Sequence, residues 1–209
     1  MAARLDHITV VAPTLRIGAA YVEAALGVAP GVGRKHPDMA THNLLLALGP
    51  DAYLEVISVD PDAAPIGRPR WFGLDHVHPG SVARLGAWVA STDDIAAAAV
   101  PEFGDVRTMR REQHTWKMAV RADGNPPLGG AAPLLIQLSS NVNPAGALPP
   151  TSLLLRRLFV RHPMPSEVVA LFASIGLASR PAVVVTQGHR CTLSAEIQTP
   201  AGLRQIGET

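Results

Sequence analysis

The chain has 209 residues, 47% of them hydrophobic and 17% charged, which excludes a disordered polypeptide and supplies one ample core or two small ones. A net charge of +1 without a long basic run excludes the electrostatic footprint of a nucleic-acid or membrane-surface protein. The single cysteine, Cys191, excludes an internal disulfide and a cysteine-built zinc site, so a cytoplasmic location is expected. The N-terminal run MAARLDHITVV lacks the features of a signal peptide, and no apolar run approaches the roughly 20 residues of a membrane span.

The first strand signal is LDHITVV, in which Leu5, His7, Thr9 and Val11 share one face. Thr14 to Leu26 then places Leu15, Ala19, Val22 and Leu26 at helical spacing, with Thr14 as cap and Gly27 after the end. Residues 28–40 are rich in Gly and Pro and read as a short edge strand or a loop. THNLLLALG and DAYLEVISVD follow as strands joined by a turn at Gly49–Ala52. That turn pairs Leu48 with Tyr53, Leu46 with Glu55 and His42 with Val59. Residues 61–83 form a proline-rich connection containing Trp71-Phe72.

LGAWVAS opens a second unit as a strand. TDDIAAAAV reads as a helix capped by Thr92, VRTMRRE and TWKMAVR as alternating strands, and PLLIQLS as an apolar strand. Residues 141–153 read as a linker. In a third unit LLRRLFVR is a strand, Pro165 to Ile175 a helix, and AVVVTQG, CTLSAEIQT and GLRQIGE are strands. The chain therefore reads as one domain over residues 1–209 with β-α-β-β-β modules at about 5–60, 84–140 and 154–207. His7, Ala87 and Arg157 align as first-strand positions, and Glu55, Gln137 and Gln205 as last-strand positions. The fold class is α+β, with curved mixed sheets and the helices outside. Three modules leave one unpaired, which a homodimer would cover.

LDHITVV, the segment ending ALGV, the THNLLLALG and AYLEVISVD strands and the second unit's LGAWVAS and APLLIQLSS together resemble the vicinal oxygen chelate superfamily, glyoxalase-like proteins in particular. The resemblance implies paired modules forming a half-closed cup, in which first- and last-strand side chains converge on a divalent metal. It implies His7, Glu55 and Gln137 as ligands of Zn, Fe, Mn or Ni, and Lewis-acid chemistry of lyase, isomerase or dioxygenase type on a small oxygenated molecule. The sequence departs from the metal pattern at Ala87, which cannot ligate, and at Gln137, a weak donor. The superfamily also holds metal-free proteins that sequester antibiotics, so a metal-free small-molecule-binding protein of the bleomycin-resistance type is the alternative.

Glu55 stands between Leu54 and Val56 on an apolar strand, where an unpaired buried charge would cost several kcal/mol. It therefore needs a partner, and His7 is the expected one. His42 is expected at the cup mouth as a proton-transfer or orienting group. Trp71, Trp116 and Arg110 are candidates for substrate contact. His76 and His78 alternate as strand ligands would, but in a proline-flanked loop.

Overall fold

The computed structural model describes residues 2–31, 33–111, 114–139, 144–178 and 181–208. Parts of the predicted VRTMRRE strand and of the 141–153 linker therefore lie outside the described residues. The first unit contains β1 (Arg4–Val11), α1 (Leu15–Leu26), β2 (Lys35–His36), β3 (Thr41–Ala47) and β4 (Tyr53–Val59). The second contains β5 (Arg84–Ser91), α2 (Ile95–Ala98), β6 (Asp105–Arg111), β7 (His114–Val120) and β8 (Leu134–Leu138). The third contains β9 (Leu154–His162), α3 (Pro165–Ser174), β10 (Ala182–Gln187), β11 (Thr192–Thr199) and β12 (Gly202–Gly207).

The first two units merge into one eight-stranded curved sheet of order β2-β3-β4-β1-β5-β8-β7-β6. Within each, the last strand lies parallel beside the first: β4 beside β1 and β8 beside β5. The units join through antiparallel pairing of β1 with β5. The third unit keeps the β-α-β-β-β sequence of elements but not this order. Its sheet runs β10-β9-β11-β12, because α3 returns the chain directly beside β9 and that slot is no longer open to the last strand. The expected equivalence of Gln205 with Glu55 therefore fails. Gln205 pairs with Glu196 on β11, and β11 separates it from Arg157 on β9.

Local sequence explains the helix ends. The Thr14 hydroxyl accepts the Ile17 N–H at 3.2 Å, and Gly27 closes α1 in the left-handed region at φ 76°. A side chain at Gly18 would run into Val56, so this glycine lets α1 lie close on β4. The second-unit helix is a single turn, and its cap is Asp94 rather than Thr92. Asp94 Oδ1 accepts the Ala97 N–H at 3.1 Å.

Alternation along the strands divides the apolar side chains into two layers. Ile8, Val10, Leu54, Val56, Trp88 and Leu135 face the convex side, where α1, α2 and the third unit cover them. Val11, Ile57, Ala87, Val89, Met118 and Ile136 face the concave side. Leu158, Val160, Ala195 and Ile197 of the third unit pack into the convex core, and Phe172 meets Trp88 edge-on at 5.5 Å. The third unit thus covers the β1–β5 seam within the chain, and an unpaired module no longer argues for a homodimer. Among the described residues no helix is long and apolar enough to cross a membrane.

The 61–83 connection roofs the concave side. Trp71, Phe72 and Leu74 are buried there, and Phe72 is held at φ 58°. A bulky residue in that region costs on the order of 1–3 kcal/mol. Burial of its ring, with the Gly73 N–H bonded to the Gly124 carbonyl at 2.9 Å, holds the turn in place.

Candidate functional site

The cup brings His7 and Glu55 together, as their places on neighbouring strands require. Thr9 pairs with Glu55 and His7 with Tyr53, so the two polar side chains point into the cup side by side. His7 Nε2 lies 3.4 Å from Glu55 Oε2. On its other side, His7 Nδ1 lies 2.7 Å from Asp6 Oδ1. Adjacent residues in a regular strand point to opposite faces. A register irregularity in β1 between Leu5 and His7 brings Asp6 beside the ring instead.

Both imidazole nitrogens therefore face carboxylates, and a neutral ring has only one proton to give. Burial works against charge on His7, but the hydrogen bonds and negative charges of Asp6 and Glu55 outweigh it and raise its pKa to about 9. Burial also pushes Glu55 up. Its bond to His7 and the charge of His7, with contributions from His36 and Asn43, reverse that and hold it below the ordinary carboxylate range.

Asn43 on β3 completes the corner. Its Nδ2 donates to Glu55 Oε1 at 2.6 Å and lies 3.1 Å from His36 Nε2. Its Oδ1 accepts the Arg34 N–H at 2.7 Å, so the amide has one satisfactory orientation. Tyr53 stacks on His7 at 4.4 Å. His36 sits edge-on to both Trp71 and Trp116, at 5.2 and 6.1 Å.

A cavity of about 490 Å³ opens over this corner. Its first-unit wall carries His7, His36, Asn43, Tyr53 and Glu55. Its second-unit wall carries Trp116, Met118, Ile136 and Leu138. Trp71 and Phe72 also line it, and exposed Arg34 and His114 stand at its edge. Trp71 and Trp116, two of the candidates for substrate contact, both line the cavity.

Three expected site residues are elsewhere. Gln137 alternates with Ile136 and Leu138, so it points out of the cup, where its Oε1 accepts the Ile95 N–H at 3.1 Å and helps cap α2. Arg110 is exposed on β6, and its neighbour Met109 takes the concave position. His42 shares the outer face of β3 with Leu44 and Leu46, and its ring is 3.9 Å from Asp60. The cause is a one-residue error in the expected hairpin. Ala47, not Leu48, pairs with Tyr53, and Leu48 N–H donates to the Ala52 carbonyl within a longer turn. A slip of one residue exchanges the two faces of a strand. It removes His42 from the cup and puts Asn43 in its place. His76 and His78 do not line the cavity.

The sequence reading missed Asp6, Asn43 and His36. The irregularity beside Asp6 leaves no compositional mark, Asn43 was hidden by the assumed register, and His36 lies in a stretch too rich in Gly and Pro to assign.

The resemblance implies a divalent ion at His7 and Glu55. His7 and Glu55 are adjacent and supported from behind, but the facing half of the cup presents Ala87, Leu134 and Ile136. Among the described residues no three His, Cys, Asp or Glu side chains group as a cation site would require. The residues supply half of a coordination sphere and do not fit a resident divalent ion.

A family model described as glyoxalase-like domain matches residues 5–176, and the chain belongs to that family. The two-module sheet is its vicinal oxygen chelate fold. A hypothetical protein from Staphylococcus aureus has a similar structure, with a TM-score of 0.59 at 13% identity over 91% of this chain and 88% of that one. Streptomyces coelicolor methylmalonyl-CoA epimerase gives 0.42 at 16% identity over 66% and 95% of the two chains. Glyoxalase I from Zea mays gives 0.32 at 15% identity over 81% and 53%. No curated protein matches the sequence.

Proposed function

We propose that this protein binds a small organic molecule in the cup without a resident divalent ion. One observation carries the reading: each ring nitrogen of His7 faces a carboxylate, so the site's polar corner satisfies its own charges. The cavity, at about 490 Å³, falls in the roughly 300–1,000 Å³ range of small-molecule sites. Its apolar wall supplies contact area, and its polar wall supplies orientation. Glu55, held ionised below the usual range, is a poor proton acceptor near neutrality, so the corner is suited to orienting a ligand. The lone Cys191 fits a cytoplasmic location.

A second reading, a metal-dependent lyase, isomerase or dioxygenase, draws on one feature. Asp6 stands behind His7 as a carboxylate stands behind a ligating histidine, and the 3.4 Å between His7 and Glu55 leaves them incompletely spent on each other. Metal analysis separates the two. Untagged protein is exposed in turn to Zn²⁺, Mn²⁺, Ni²⁺ and Fe²⁺, desalted and measured by mass spectrometry. The metal-free reading expects far less than one ion per chain. About one ion per chain, absent from His7→Ala and Glu55→Ala, overturns it.

A further inference from the structure

The cavity has two ends of different character. At the inner end stand His7, Asn43 and Glu55, all buried. At the mouth stand Arg34, His114, Thr115 and Ser139, all exposed. Among the described residues that line it, Glu55 is the one acid, and Arg34 is the one group whose positive charge does not titrate.

The acid is engaged and the cation is not. Asn43 Nδ2 donates to Glu55 Oε1 at 2.6 Å, and His7 stands beside Oε2. Lys35, the residue after Arg34, turns to the other face of the sheet, where its ammonium meets Asp60 at 2.9 Å and Asp62 at 3.1 Å. Among the described residues no carboxylate pairs with the Arg34 guanidinium. Its backbone is nevertheless fixed. The Arg34 N–H donates to Asn43 Oδ1 at 2.7 Å, and the Arg34 carbonyl accepts the Asn43 N–H at 3.0 Å. A side chain at Gly33 would run into the Asn43 carbonyl, so this glycine lets the chain lie close against β3. The asparagine that holds Glu55 at the inner end thus also sets Arg34 at the mouth.

The opposite side of the mouth offers an anion less. Ser139 Oγ donates to the Thr115 carbonyl at 2.5 Å, which leaves the Thr115 hydroxyl to donate to Ser139 Oγ at 3.1 Å. Both hydroxyl protons are then spent, and the lone pairs that remain do not attract an anion. His114 carries at least one ring N–H whether or not it is charged. A negative group at the mouth is therefore held chiefly by Arg34.

Between the two ends the lining is apolar, formed by Leu45, Trp116, Met118, Ile136 and Leu138. A molecule crossing it needs an apolar body. One guanidinium matches one carboxylate through two parallel N–H···O bonds. The second charge of a phosphate would find no second fixed cation among the described lining residues.

We propose that the ligand is an organic monocarboxylate, its apolar body lying inward along the cup and its carboxylate held at the mouth by Arg34. This rests on the small-molecule reading above and adds the charge and the direction of the ligand.

Two acids, 1-naphthaleneacetate and 4-phenylbutyrate, test it against their primary amides, which keep the shape and lose the charge. All four are titrated calorimetrically into the full chain at pH 7.5, before and after dialysis against EDTA. Acid is expected to bind at least about fivefold more tightly than its amide, the upper end for an exposed ion pair. Arg34→Gln should abolish that preference and leave amide affinity and melting temperature unchanged. Lys35→Gln, an equal change in net charge, should keep it. Acids that bind no better than their amides, or binding of none of the four, overturn the proposal. So does a preference that survives Arg34→Gln or is lost equally in Lys35→Gln. A preference that survives Arg34→Gln but disappears after EDTA identifies a metal as the anchor and overturns the metal-free reading as well, so the two failures are distinguishable.

Discussion

The β1–β4 half of the large sheet and the β5–β8 half share a strand order but differ in what they present to the cavity. The first half presents His7, His36, Asn43 and Glu55, with Asp6 behind them. The second presents Trp116, Met118, Ile136 and Leu138, with exposed His114, Thr115 and Ser139. Apolar alternation on both faces suffices to build the sheet twice. Chemistry needs particular residues, and the buried polar residues that line the cavity all lie in the first half. A site shared equally between modules would need donors on both sides; this one has a polar wall and a greasy wall.

The largest expected effect comes from breaking the polar half. Glu55→Ala removes the partner of a buried charged imidazole and leaves the Asn43 amide without its acceptor, which should cost about 3 kcal/mol in chemical denaturation. Asn43→Ala leaves Glu55 Oε1 without its donor and the Arg34 N–H without its side-chain acceptor, and is expected to cost about 2 kcal/mol. In the apolar half Ile136→Val should cost only about 1 kcal/mol by the same measurement. A loss as large as that of Glu55→Ala would mean that the two walls do not differ as described.

The pH dependence sharpens the contrast. The His7 pKa is raised from 6.5 to about 9 in the folded protein, so its stabilisation is complete below about 6.5 and is lost as pH rises through about 9. The Glu55 pKa is lowered from 4.5, so its stabilisation is complete above about 4.5 and is lost on acidification through its folded value. Wild-type protein should therefore lose melting temperature between pH 7 and 9.5. Ile136→Val should follow the same profile from a slightly lower start, and His7→Gln should flatten it.

Much of the fold was legible because it rests on repetition: strand alternation, helix spacing and the capping residues Thr14 and Gly27 marked the elements of the first two units. The cup pair His7 and Glu55 was legible because first and last strands are neighbours in the fold the motifs resemble. Less visible were features that depend on one residue of register. The longer turn after Ala47 exchanged His42 for Asn43, and the irregularity at Asp6 made a sequence neighbour into a side-chain partner. Gln137 misled for a related reason. An isolated polar residue on an apolar strand suggests an inward ligand, yet the need to cap a one-turn helix accounts for it on the outward face. The third unit matched in element order, but element order does not fix which strand takes the slot beside β9.

The protonation of His7 is the most direct test of the account. In protein labelled with nitrogen-15 at histidine, the ring nitrogens of His7 report their protons by NMR. The account predicts that both carry a proton at pH 7 and that one is lost near pH 9. A ring at pH 7 with Nε2 unprotonated would contradict it, leaving that nitrogen open to a cation.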